Sequence, residues 1–418
     1  MKQSQTDERA LAADKNLSLF RLLHPSVIAD PTSFYRELRE RDPVHWDPYM
    51  HAWVVTSYSE VVTVLNEYSA DRTPSPDFLD RSGLSFMTPF AEMMLRQMMF
   101  MDGEMHTRLR GLCAAAFTPR RVQKMHEVIL SVADELLDSF IASGRMDMVA
   151  DFAAPLPAIV TAKMLDLPVD DSREVGAWVL DIAEILGNVQ HHPDRMAKSV
   201  QSLEKLKSYV AAKLMEQRSC PTDEFIHSLM NAEINGARLT DDEVIANTII
   251  TLIGGHETTT NLIASGFLAL VNRPQCFEQL QKHPEIAKSA VEELLRFVSP
   301  VQHTARIAPS DMRLGEKTIQ KGSKVVAVLA AANRDPARFA DPDNLDLRRP
   351  DNKHLAFGWG AHFCFGAPLA RMEGKIAFNA LLRRILNPVL LEKNLEWRTN
   401  AGLRGLTMLN ISFEPILP

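Results

Sequence analysis

The run Phe357-Gly358-Trp359-Gly360-Ala361-His362-Phe363-Cys364-Phe365-Gly366 sets one cysteine among glycines late in a chain of 418 residues. Glycines let the backbone turn tightly, and a cysteine on such a turn can project its sulfur toward a metal. From Ala367 through Ile385 apolar residues recur at helical spacing, which predicts a helix whose positive N-terminal end lies near that sulfur. The dipole and the free backbone N–H groups there favour a thiolate. A lone cysteine more often ends as a buried structural residue, and that is the alternative reading of this run.

Composition narrows the classes. Hydrophobic content of 46% and charged content of 24% are those of an ordinary globular protein. A net charge of −7 excludes a nucleic-acid-binding surface over the whole protein. Cys113, Cys220, Cys276 and Cys364 show no paired spacing, so neither a disulfide framework nor a zinc knuckle is expected, in keeping with a reducing cytosol. Met1 to Asn16 is polar, has no apolar signal core and is expected to be flexible. The apolar stretch Val244–Val271 is interrupted by His256, Glu257 and three threonines. Those groups are costly at a bilayer midplane, so a buried helix is predicted, with no membrane anchor and a cytoplasmic protein.

No repeat, low-complexity tract or Gly/Ser linker divides the chain, and one domain over residues 1–418 is expected. A helix near Thr32–Arg41, a strand near Ala52–Ser57 and a helix from Ser59 to Tyr68 open it. Helical periodicity then dominates from about Met105 to Leu295, punctuated by Pro119, Pro155, Pro168, Pro193 and Pro221. Thr240 with Glu243 three residues later is a capping box, opening a helix that can run to about Asn272. Pro284 suits the first turn of the next helix. Strand-like pieces follow, Lys324–Leu329 and Met408–Phe413 among them. The predicted class is mainly α with small β-sheets.

Inside the long predicted helix stands Gly254-Gly255-His256-Glu257-Thr258-Thr259. Each glycine weakens a helix by roughly 1 kcal/mol relative to alanine, and hydroxyls that bond back to carbonyls bend it. Such a distortion leaves room for a small ligand beside the helix.

These two segments together resemble the cytochrome P-450 family. Phe357, Gly358, Gly360, His362, Cys364 and Gly366 fall where that family's haem-binding loop has them. The resemblance implies b-type haem held between the long distorted helix and the cysteine-loop helix. Cys364 would then be the axial iron ligand, its thiolate donating electron density toward O–O cleavage. In the helix it implies that Glu257 and Thr258 are an acid–alcohol pair guiding protons to dioxygen. Gly254 replaces a frequent alanine, which widens the groove slightly. His106 and Arg110, four apart on one predicted helix face, with Arg306 and His362, match the positions that hold the haem propionates. Gly103-Glu104 replaces a more proline-rich approach to that histidine. Glu293-Leu294-Leu295-Arg296 resembles the family's structural ion pair, completed by Arg349 or its neighbour Arg348.

Met87 to Met105 holds seven of the chain's 19 methionines, with Met94, Met98, Met101 and Met105 at helical spacing. Such a stripe is usually core packing. In the family this stretch overlies the haem, so Met87 and Met98, with Gly254 and Val301, are candidate pocket residues for a small apolar organic substrate. From Glu104 to Lys124, five Lys/Arg (Arg108, Arg110, Arg120, Arg121, Lys124) face one acid. In the family this region meets an acidic electron donor, whose association a basic patch would speed. No flavin or nicotinamide fingerprint appears, so a separate ferredoxin and ferredoxin reductase are expected. The implied reaction is insertion of one atom of O2 into the substrate by hydroxylation or epoxidation. The alternatives are a peroxide-driven peroxygenase and a haem sensor without turnover; neither requires the acid–alcohol pair.

Overall fold

The computed structural model describes residues 17–188, 192–219 and 225–416. Met1–Asn16, Cys220 and Pro221, on which expectations fell, lie outside the described residues. The helices that position the site are α1 (Thr32–Arg41), α2 (Tyr58–Glu67), α3 (Thr88–Met94), α4 (Gly103–Ala116), α5 (Pro119–Phe140), α6 (Ser172–Ala183), α7 (Pro193–Ser219), α8 (Asp241–Val271), α9 (Ala287–Val298) and α10 (Ala367–Arg384). The strands of the two larger sheets are β1 (Val44–Asp47), β2 (Ala52–Val55), β3 (Arg145–Asp147), β4 (Thr304–Ile307), β5 (Lys324–Ala327), β6 (Ile385–Leu390) and β7 (Asn410–Pro415).

The expected capping box is formed. Thr240 Oγ1 accepts from the Glu243 N–H at 3.2 Å, and Glu243 Oε2 accepts from the Thr240 N–H at 2.9 Å. Two of the orphan donors at the start of α8 are thereby satisfied. The helix continues for 31 residues, about 46 Å at the usual rise. From Asn261 to Leu270 it is buried on every side, which explains an apolar stretch without membrane periodicity. Among the described residues no helix is long and apolar enough to cross a membrane.

Helix α10 packs across α8 through two glycines. A Cβ on Gly266 would lie 2.7 Å from the Phe378 ring, and one on Gly374 would lie 3.2 Å from Leu262. Backbones can approach so closely only where side chains are missing. β1 and β2 pair antiparallel, β2 and β5 parallel, β5 and β4 antiparallel, in a sheet of order β1-β2-β5-β4. β7 lies between β6 and β3 in a second sheet.

Two local expectations are corrected. Pro284 opens a 3-10 turn, Pro284–Ile286, ahead of α9 rather than the helix itself. The methionine stripe is not one helix: α3 ends at Met94, Met98–Phe100 form a 3-10 turn, and Met105 lies exposed in α4. The reason is a polar tie to α8. Gln97 donates to the Ala246 carbonyl at 3.1 Å, the Met98 N–H donates to Asn247 Oδ1 at 3.1 Å, and Asn247 donates to the Arg96 carbonyl at 2.8 Å. These bonds spend backbone groups that a helix would have used.

The ion pair after α8 takes Arg349, not Arg348. Arg349 Nε lies 3.1 Å from both carboxylate oxygens of Glu293, while Arg348 is exposed.

Candidate active site

The cysteine loop is held open by its glycines. Gly358 and Gly360 have φ of +72° and +70°, a region strained for any residue with a Cβ. At Gly360 a Cβ would also sit 2.4 Å from the Asn66 side-chain oxygen on α2. The turn closes where the Cys364 N–H donates to the Phe357 carbonyl at 2.8 Å. Two opposing influences act on the Cys364 thiol. Burial pushes its pKa up and prevails, while hydrogen bonds from the Gly366 and Ala367 N–H groups and the charges of Arg110 and Arg371 pull it down. A metal cation at the sulfur would favour the thiolate expected from the helix geometry.

Beside the loop lies a group of histidines and arginines short of anionic partners. His106 on α4 and His362 face each other with ring centroids 4.1 Å apart. His362 Nε2 is 3.1 Å from Asp102 Oδ1, whereas the buried His106 Nε2 has no partner. The pKa of His106 is lowered by burial and then by Arg110. Arg110 donates to the Phe363 carbonyl at 2.7 Å, which ties α4 to the loop. Arg306 on β4 is buried, bonded only to Thr304 and Ala305 in its own strand, and its Nε is unpartnered.

Arg72, which sequence reasoning missed, belongs with them. Its Cζ sits 4.4 Å from the Phe100 ring centroid. Its pKa is pulled down to about 9 by burial, then by the like charge of Arg306, with Asp102 and Asp71 compensating in part. Guanidinium keeps its proton in proteins, so Arg72 stays charged beside Arg306, with one nitrogen donating to the Ala70 carbonyl at 3.0 Å. Only its nearness to Arg306 reveals it; a lone arginine before Thr73-Pro74 carries no signal.

The long helix is open on the face that carries Gly254. A Cβ on Gly254 would meet nothing within 4 Å, and the same holds at Gly366 beside the cysteine. Thr258, four residues on from Gly254 and so on the same face, donates to the Gly254 carbonyl at 2.6 Å. Glu257 does not share that face. It is 1% exposed, with Arg398 Nη1 3.1 Å from its Oε1 but off the line of a hydrogen bond. Burial raises its pKa to about 7; Arg398 opposes the rise and Glu184 adds to it. Met87 and Met98 are buried, and Val301 bridges Leu403.

The expected basic patch is partly turned inward. Arg108 pairs with the Glu243 carboxylate, and Arg121 donates to Ser228 Oγ at 2.8 Å. With Arg110 also engaged, Arg120 and Lys124 stay on the exposed surface. The side chains that looked like one field are split by the break between α4 and α5.

Open Cβ positions at Gly254 and Gly366, the buried Arg72 and Arg306 and the Cys364 sulfur fit an iron macrocycle that carries carboxylates, a haem. A family model described as Cytochrome P450 matches residues 49–386, and the chain belongs to that family. It is an oxidoreductase of the cytochrome P450 monooxygenase class, whose cofactor is haem. Over 399 residues it is 34% identical to the polyketide biosynthesis cytochrome P450 PksS of Bacillus subtilis, covering 92% of this chain and 96% of that one. The structure of P450BioI in complex with hexadec-9Z-enoic acid ligated acyl carrier protein matches with a TM-score of 0.86 at 31% identity, covering 93% of this chain and 99% of that one. CYP109E1 from Bacillus megaterium in complex with corticosterone matches with a TM-score of 0.81 at 31% identity, covering 93% and 100%.

Proposed function

We propose that the chain is a haem-thiolate monooxygenase that inserts one oxygen atom from O2 into a bulky apolar organic substrate, using electrons from ferredoxin and ferredoxin reductase. The observation that carries this reading is the Cys364 loop itself, shaped by Gly358 and Gly360 at positive φ and tied to α4 where Arg110 donates to the Phe363 carbonyl. Bound b-type haem would supply dioxygen activation and oxygen transfer. Cys364 would hold the iron. His106, Arg110, Arg306 and His362, joined by Arg72, would neutralise the propionates, for which a buried unpaired carboxylate has a large desolvation cost.

Thr258 would orient a proton donor at the open face, its own hydroxyl hydrogen being held by the Gly254 carbonyl. Glu257, with a pKa of about 7, can both take and release a proton near neutrality. Met87, Met98 and Val301 offer an apolar lining that adapts to irregular shapes. Relatives of this fold are recorded with a carrier-bound fatty acyl group and with a steroid, which supports a large apolar substrate here.

The test has two arms. Optical binding spectra over fatty acids, a carrier-bound acyl chain, steroids and polyketides should give a saturable shift of the haem band with at least one class. Product should then form with reduced ferredoxin and O2. Product with peroxide alone would favour the peroxygenase, and binding without product in either condition would favour a sensor.

A further inference from the structure

Residues 397–405, between β6 and β7, form a wedge driven between the middle of α8 and the end of α6. On the α8 side a Cβ at Gly405 would fall 1.9 Å from Asn261 Oδ1, so the loop backbone lies directly on the helix. On the other side a Cβ at Gly402 would fall 2.1 Å from the Gly187 carbonyl, just past α6. Asn400 donates to the Ala183 carbonyl at 3.0 Å, and Arg195 on α7 donates to Thr399 Oγ1 at 3.0 Å. At the head of this wedge stands Arg398. Its Nη1 is 3.1 Å from Glu257, and its Nη2 is 3.5 Å from Glu184, the residue that caps α6. Glu184 in turn faces Arg195 at 3.3 Å.

We propose that Arg398 is a positioning residue for Glu257, shared with Glu184, so that the seating of the 397–405 wedge against the α6–α7 corner sets how much of the cation Glu257 receives. The inference rests on the reading of Glu257 as the relay acid. Exposure rises outward along the chain of contacts, from 1% at Glu257 through 20% at Arg398 and 21% at Glu184 to 50% at Arg195. Glu257 is thus tuned from its rear, through groups that reach solvent, while Thr258 faces the open side. The charged groups facing Glu257 are Arg398 from the wedge and Glu184 from α6. Its helix neighbour His256 is neutral at pH 7, its pKa held down to about 4 by burial and by the same Arg398.

The arrangement makes two predictions of opposite sign. Arg398→Gln removes the cation and should raise the Glu257 pKa, whereas Glu184→Gln leaves Arg398 to Glu257 alone and should lower it. The shift in Arg398→Gln should be about one pH unit or more, the usual effect of a charge this close, and the shift in Glu184→Gln smaller. The readout is the infrared carbonyl band of the protonated Glu257 carboxyl in the haem-loaded enzyme, identified by its absence in Glu257→Gln and followed against pH. Arg398→Lys should restore the midpoint. Opposite shifts with lysine rescue support the proposal. A midpoint unmoved in Glu184→Gln overturns it, and that arm stands even if Arg398→Gln does not fold. Failure of the relay reading looks different: Glu257→Gln would then leave oxygen consumption unchanged wherever the midpoint lies.

Discussion

Arg296 and Glu293 meet with neither side chain exposed, Nε and Nη2 each 2.8 Å from a carboxylate oxygen. A buried ion pair gains nothing unless its remaining hydrogen-bonding groups are satisfied. Here Arg349, Asn352 and the Asp346 N–H complete Glu293, and the carbonyls of Asn333, Pro342 and Asn344 complete Arg296. The network ties α9 to the irregular segment that leads into the cysteine loop.

Removing one partner leaves a buried charge unmatched. Glu293→Ala and Arg296→Ala should each lose about 3–5 kcal/mol of stability, read as a lower denaturation midpoint and reduced haem content. Arg348→Ala, exposed and outside the network, should stay within about 0.5 kcal/mol of the parent. Equal effects at Arg348 and Arg349 would contradict the assignment.

Cys364→Ser should abolish the red-shifted Soret band of the reduced carbon-monoxide complex, because a serine hydroxyl cannot donate as a thiolate does. Survival of that band would mean that another residue binds the iron.

If Arg72, His106 and Arg306 hold propionates, Arg72→Ala, His106→Ala and Arg306→Ala should each lower haem retention without changing the ligand signature. Haem-to-protein ratio after gel filtration at moderate salt measures this. Wild-type retention in Arg72→Ala would remove Arg72 from the set.

Thr258→Ala deletes the hydroxyl bonded to the Gly254 carbonyl. The variant should fold, bind haem and consume reducing equivalents, with much of that consumption appearing as hydrogen peroxide. Product per electron is the measurement. Unchanged coupling would reduce Thr258 to a residue that bends the helix.

Glu292 ties α9 to α10 through Arg371, whose Nε and Nη2 lie 2.7 and 2.8 Å from its two oxygens, and through His354 at 3.2 Å. Burial would raise its pKa, but the hydrogen bonds and charges of these partners outweigh burial and bring it to about 2. A carboxylate depressed on folding adds stability above its ordinary pKa of 4.5 and loses it as pH falls toward 2. Glu292→Gln should therefore flatten the stability profile between those limits, measured by denaturation at successive pH values.

Where the information was local, the sequence was readable. The bounds of α1 and the capping box of α8 follow from residues within a turn of one another, as does the helix after Cys364. The glycines around the cysteine carried the loop because positive φ is a property of single residues. The methionine segment misled for the opposite reason: Asn247, 149 positions from Met98, competes for its backbone. The basic run misled likewise, since Glu243 and Ser228 claim two of its arginines from other helices.

By itself, then, the sequence determined the mainly α class, the glycines of the cysteine loop and the long helix that carries Gly254 and Thr258, through short-range propensity and spacing. Tertiary structure alone decided the choice of Arg349, the place of Arg72 among the cations, and the pairing of Glu257 with Arg398. Each depends on desolvation and on charges brought together from segments far apart in the chain. Coulomb energy and burial are functions of distance in space, and no spacing along the sequence encodes them.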